Sequence, residues 1–113
     1  MSSFTENPTI SNLQKVVDDW ITSEGGGYWP PLSMLAAILE ELGEVSRALN
    51  FFERIKPPKN DQEIGDLGLE LADLIISIVC VANYYKIDLS EKLIEKIEKI
   101  KIRDKNRFIN LKK

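Results

Sequence analysis

A chain of 113 residues, 43% hydrophobic and 29% charged, has the balance of a soluble folded domain with one modest core, which excludes wholesale disorder. Its net charge of −3 excludes a general electrostatic attraction to nucleic acid, although Lys92 to Lys113 is basic and the middle is acidic. Histidine is absent altogether, which removes Ser-His-Asp and Cys-His mechanisms, ordinary zinc sites and the Glu-x-x-His pairs of di-iron bundles.

Chemistry is thus left to carboxylates, amines, guanidinia, hydroxyls and amides. Cys80 is the single cysteine, so no internal disulfide forms, and within an apolar run its thiol reads as a small hydrophobe. Met1 to Pro8 lacks the basic start and apolar centre of a signal peptide, and the apolar run from Leu67 is broken by charges too early for a membrane span. A cytoplasmic protein, with no membrane and no nucleic-acid partner, is the expectation.

In chain order, Met1 to Thr9 is polar and is expected to fray. Ser11 is placed to cap a first helix whose apolar positions are Leu13, Val16, Val17, Trp20 and Ile21. Ser23 to Pro31 is a loop with three glycines and, at its exit, two prolines; no Gly-Lys-Ser/Thr follows, so it is not a phosphate-binding P-loop. Ser33 is placed to cap a second helix that runs to about Phe52, with Met34, Ala37, Glu41, Glu44 and Ala48 on one side.

Lys56 to Asp61 breaks the chain, and a third helix runs from roughly Asp61 to Tyr85. Asp66, Glu70, Asp73, Ser77 and Tyr84 form a narrow polar stripe along it, and its other faces are apolar nearly all round. A small monomer can hardly bury such a helix, so a homo-oligomer is expected. Asp88 or Ser90 caps a last helix with Leu93, Ile94, Ile97 and Ile100 on its apolar side and Lys92, Lys96, Lys99 and Arg103 along another. Four helices with no convincing strand make an all-α, bundle-like fold.

Two acid pairs stand out. Glu41 and Glu44 are three apart on the second helix, and Glu70 and Asp73 are three apart on the third, a spacing that puts each pair on one face. Facing one another across an antiparallel junction, they make a four-carboxylate cage. Its mutual repulsion is resolved by a hard divalent cation, and oxygen-only ligands favour Mg2+ or Mn2+. The competing reading is a set of solvated helix faces; it is the stronger one for Glu40 and the weaker one for Asp73, which lies among Ala72, Leu74, Ile75 and Ile76. Lys99, Arg103 and Arg107 either meet phosphate oxygens or form a solvated basic face. Trp29 and Tyr28 lie in the Gly-rich loop, where an aromatic can stack on a base; Asn83 either reads a base edge or is a satisfied core amide.

The segments GGYWPPLSMLAAILEELGEVSRALN, KPPK, LELADLIISIVCVANYYKIDLSE and KIKIRDKNRF, in that order, resemble the MazG-type nucleotide pyrophosphohydrolases of the all-α NTP pyrophosphohydrolase superfamily, in particular their small single-domain, YpjD-like branch. The resemblance covers about residues 13–108 and implies a single domain over 1–113, with 109–113 as a tail. The family pattern Glu-Glu-x-x-Glu followed by Glu-x-x-Asp reads here Glu40-Glu41-Leu42-Gly43-Glu44 and Glu70-Leu71-Ala72-Asp73. By that likeness Glu41, Glu44, Glu70 and Asp73 hold Mg2+, and Glu40 stands behind them or at a second metal. Asn83, Lys99 and Arg103 match positions that look like nucleotide and phosphate contacts. Phe108 stands where the family often has Trp or Tyr.

The resemblance implies Mg2+-dependent hydrolysis of a nucleoside triphosphate to the monophosphate and pyrophosphate, in a homodimer or homotetramer. Glu40 or Glu44 would orient the water, Lys99 and Arg103 would offset charge on the leaving group, and Asn83 with a loop aromatic would hold the base. The alternatives are a non-catalytic Mg2+-nucleotide-binding or helical oligomerisation module and, against the net acidity, nucleic-acid binding through the basic tail.

Overall fold

The computed structural model describes residues 4, 6–53 and 65–109. Within them lie four α-helices, α1 (Ile10–Ser23), α2 (Pro31–Phe52), α3 (Leu67–Tyr84) and α4 (Leu89–Arg103), and no strand, which is the expected all-α fold.

Local chemistry sets the helix ends. The cap of α1 is Thr9, not Ser11. The Thr9 hydroxyl accepts from the Asn12 amide N–H at 3.0 Å, and the Asn12 side chain accepts from the Thr9 N–H at 3.1 Å, a reciprocal box that serves two otherwise orphaned donors. Helix α2 starts at Pro31, whose ring fixes a helical φ and whose missing N–H is no loss in a first turn. Ser33 therefore lies inside that turn and is not its cap.

The third helix begins later than about Asp61. Gly65 and Asp66 precede it, and the Asp66 carboxylate accepts from the Leu69 N–H at 3.1 Å, so this acid is a cap and not part of the polar stripe. The breaker Lys56 to Asp61 lies outside the described residues. At the other end, the Ile87 N–H donates to Ala82 and the Lys86 N–H to Asn83, a Schellman closure with Lys86 in the left-handed region at φ 58°. Asp88 caps α4, as expected, by accepting from the Glu91 N–H.

Helix α2 packs along α3, α1 lies on α3, and α4 touches α1. The buried apolar side chains are Met34, Val45 and Ala48 of α2 with Val79 and Ala82 of α3. Of the α2 side that carries Met34, Ala37, Glu41, Glu44 and Ala48, Met34 and Ala48 are buried and Ala37 is half-buried. Large apolar side chains remain uncovered on α2 (Leu35, Leu39, Leu42), on α3 (Ile75, Ile78) and on α4 (Ile94, Ile97). By length and composition α3 is apolar enough to cross a membrane, with a mean hydropathy of 1.7, yet Glu70 and Asp73 interrupt its first half.

Candidate functional site

Antiparallel pairing of α2 with α3 creates the site. Glu41 comes opposite Glu70 and Asp73, and each of the three offers a carboxylate oxygen within 4.8 Å of the others. Glu41 and Glu70 are half-buried and Asp73 is exposed. Burial, then the charges of Asp73, Glu70, Glu44 and Glu40, push the Glu41 carboxyl above its usual range. Gly65 leaves room beside the cluster, since a Cβ there would lie 3.3 Å from Glu70 Oε1. Three carboxylate oxygens from two helices, with no soft donor among them, fit a hard divalent cation such as Mg2+ or Mn2+.

The other two acids stand apart from this trio. Glu44 is half-buried, and its carboxylate accepts from Arg47 at 3.2 Å, one turn further along α2. Glu40 is exposed and borders a shallow groove with Trp29, Pro30, Ser33 and Ala36.

Next to the trio is a cavity of about 290 Å3. Met34, Ala37 and Glu41 line it from α2, and Ile76, Ser77 and Cys80 from α3, while Trp20, Tyr28 and Trp29 supply aromatic walls. Glu41 thus belongs both to the carboxylate cluster and to this cavity. Trp29 is 62% exposed, which leaves its ring free to meet a ligand. Burial raises the Cys80 thiol above its usual range.

The loop that carries the aromatics is shaped by its glycines. Gly26 and Gly27 have φ of 82° and 90°, where side chains are strained. A Cβ on Gly25 would lie 2.9 Å from Ile21 Cα. The Gly25 N–H donates to Trp20 O and the Gly27 N–H to Ile21 O, both at 2.9 Å. Tyr28 then turns back into the fold. Its hydroxyl donates to Asp18 Oδ1 at 2.6 Å, and its ring meets Tyr84 edge-on at 6.4 Å. Burial, followed by the bond to Asp18, pushes the Tyr28 phenol up to about 12.

Asn83 is a buried amide in the same region. Gln14 Nε2 donates to its Oδ1 at 2.9 Å, and its Nδ2 donates to the Gln14 backbone oxygen at 3.0 Å. Sequence reasoning names Asn83 but misses Gln14 and Asp18. The available signal is their spacing of four on α1, beside the apolar stripe.

The cations of the last helix and of the turn after it form local ion pairs. Lys99 pairs with Glu95 at 3.2 Å. Arg103 and Arg107 both meet Asp104, at 3.0 and 3.3 Å, and this pull, from Arg103 first, holds the Asp104 carboxyl down to about 2. Such exposed pairs contribute little to stability.

Residues 30–108 match the MazG nucleotide pyrophosphohydrolase domain. The chain is 35% identical over 100 residues to the YpjD protein of Bacillus subtilis strain 168, a match covering 88% of this chain and 90% of that protein. Among solved structures it is similar to the crystal structure of YPJD from Bacillus subtilis, with a TM-score of 0.77 and 33% identity over 88% of this chain and 100% of that one. It is also similar to the crystal structure of a Bacillus-conserved MazG protein, a nucleotide pyrophosphohydrolase, with a TM-score of 0.68 and 32% identity over 84% of this chain and 91% of that one.

Proposed function

The chain belongs to the MazG nucleotide pyrophosphohydrolase family, and from that premise we propose that it hydrolyses a nucleoside triphosphate to the monophosphate and pyrophosphate in a reaction that requires Mg2+ or Mn2+. The observation that carries this reading is the double membership of Glu41. One carboxylate borders both a triad fit for a divalent cation and a cavity walled by aromatic rings. A base stacked in the cavity has its phosphates directed at the triad.

Glu41, Glu70 and Asp73 would hold the cation, with Glu44 joining them on release from Arg47. When bound, the cation screens the phosphate charge, polarises the phosphoryl oxygens and makes a water more acidic. The chain's own groups do the rest. Of the two acids suited to orienting the water, Glu44 is half-buried on the helix that carries Glu41, whereas Glu40 faces solvent. Attack by the water oxygen forms a bond to the α-phosphorus. The α–β bridging bond then breaks, the water proton passes to the carboxylate, and pyrophosphate leaves. Trp29 and Tyr28 hold the base, and Asn83 supports this wall from beside Tyr28.

Lys99, Arg103 and Arg107 are the proposed partners of the leaving phosphates. Helix α4 packs on α1, whereas the triad lies on the α2–α3 pair. A second copy of the chain is therefore part of the proposal. It covers the exposed leucines and isoleucines of α2, α3 and α4, in a dimer or tetramer. Nucleotide-pool housecleaning in the cytoplasm is the role this reading assigns.

The test is pyrophosphate release from a panel of natural and modified NTPs and dNTPs, with Mg2+ and with chelator. Equal yields of monophosphate and pyrophosphate, lost with chelator, are expected. A folded protein that binds nucleotide and Mg2+ yet releases neither product overturns the enzyme in favour of a non-catalytic binding module.

A further inference from the structure

Gly25, Gly27, Tyr28 and Trp29 form one wall of the cavity, yet little holds this loop in place. Gly25, Gly26 and Gly27 contribute no side chains, and Trp29 is largely exposed. Two backbone bonds tie Gly25 and Gly27 to the end of α1. Beyond them Tyr28 is the one loop side chain anchored to the body of the protein, by its bond to Asp18 and its ring contact with Tyr84.

We propose that Asp18 is a positioning residue of the nucleotide site: by accepting from the Tyr28 hydroxyl, it latches the α1–α2 loop so that Tyr28 and Trp29 stand as a wall of the cavity. This inference rests on the functional reading above and adds a specific role for a residue outside the cavity. Asp18 does not line the cavity, so it acts on a bound base only through Tyr28. The bond is short at 2.6 Å and charge-assisted, the strong class of hydrogen bond. Its donor keeps its proton, because burial and the carboxylate both oppose ionisation of the phenol. Asn83, fixed by Gln14, acts on the Tyr28 phenol in the opposite sense, and burial with the Asp18 carboxylate prevails over it.

The experiment compares Asp18→Ala, Asp18→Asn and Tyr28→Phe in the full chain by two readouts. The first is amide hydrogen exchange without nucleotide. Asp18→Ala and Tyr28→Phe are expected to speed exchange at Gly27 by about tenfold, with exchange in the middle of α2 and α3 unchanged. The second is steady-state kinetics with the best substrate of the panel. Asp18→Ala is expected to raise KM by about tenfold while kcat stays within about twofold, the pattern of lost binding rather than lost chemistry. Asp18→Asn keeps an acceptor oxygen and is expected to recover most of both effects. Wild-type exchange at Gly27 in both Asp18→Ala and Tyr28→Phe overturns the latch, as does a fall in kcat with KM unchanged in Asp18→Ala. A wild-type protein that releases no pyrophosphate overturns the hydrolase reading, and the exchange data then decide the latch by themselves.

Discussion

The amide of Gln14 and the amide of Asn83 hold one another across 69 positions of sequence, with Gln14 Nε2 on Asn83 Oδ1 and Asn83 Nδ2 on the Gln14 backbone oxygen. Gln14 also donates to Ile87 O at 2.9 Å and accepts from the Leu89 N–H at 3.0 Å. One side chain therefore ties α1 to the end of α3 and to the start of α4.

Replacing it leaves three polar groups without their partner, one of them on a buried residue. Gln14→Leu is expected to lower unfolding free energy by about 2 kcal/mol, the cost of orphaned polar groups less what water recovers. Urea denaturation measures this, and a change under about 0.5 kcal/mol would show that solvent serves the groups equally well.

The carboxylate triad predicts opposite effects on stability and function. Folding holds Glu41 protonated to higher pH than in the unfolded chain, so across that window the folded state binds more protons. Without metal, stability therefore falls as pH rises through the window. Glu41→Gln removes that decline and is expected to raise the metal-free melting temperature at neutral pH. It should also abolish stabilisation by Mg2+, which at ten times its Kd amounts to about 1.4 kcal/mol in the parent. Asp73→Asn should cut turnover more than about 100-fold with the helical circular dichroism unchanged. Normal turnover in Asp73→Asn would remove this residue from the site.

Cys80 offers a reporter within the cavity. Burial keeps its thiol protonated beyond the usual range, and the thiolate is the reactive form. Alkylation by iodoacetamide at neutral pH is expected to be slower than that of a free thiol and slower again with a non-hydrolysable nucleotide and Mg2+. Mass spectrometry follows the rate, and equal rates with and without nucleotide would place the base elsewhere.

The uncovered isoleucines of α4 predict assembly. Ile94 and Ile97 are 63% and 49% exposed, so their burial would gain apolar contact without unmaking a core. Sedimentation should show a dimer or tetramer, and Ile94→Glu with Ile97→Glu should yield a smaller species that stays folded. A monomeric parent would refute this.

Periodicity reveals those parts of the molecule that depend on one helix at a time. It places Glu41, Glu70 and Asp73 on facing sides because each lies on a regular helix with apolar neighbours. It cannot reveal that Glu44, on the same side of α2, turns to Arg47, since a rotamer leaves no trace in spacing. It misplaces the starts of α1 and α2 because Ser11 and Ser33 are good capping residues; Thr9 prevails through its reciprocal bond with Asn12, and Pro31 by its fixed φ. Asp18 and Gln14 escape it for a different reason. Their partners are a tyrosine of the following loop and an amide at the far end of α3, contacts set by how the chain folds back on α1 and not by spacing along one helix.

Glu41 is where two otherwise separate segments of the chain meet. The acidic triad belongs to two long helices, whereas much of the cavity wall comes from a short glycine-rich connection whose bonds run back to α1. Within that connection Gly25, Gly26, Gly27 and Tyr28 are tied down by backbone geometry and by Asp18, whereas the exposed Trp29 is the position open to exchange. The same division gives a protein engineer a place to retune which molecules enter while leaving untouched what is done to them.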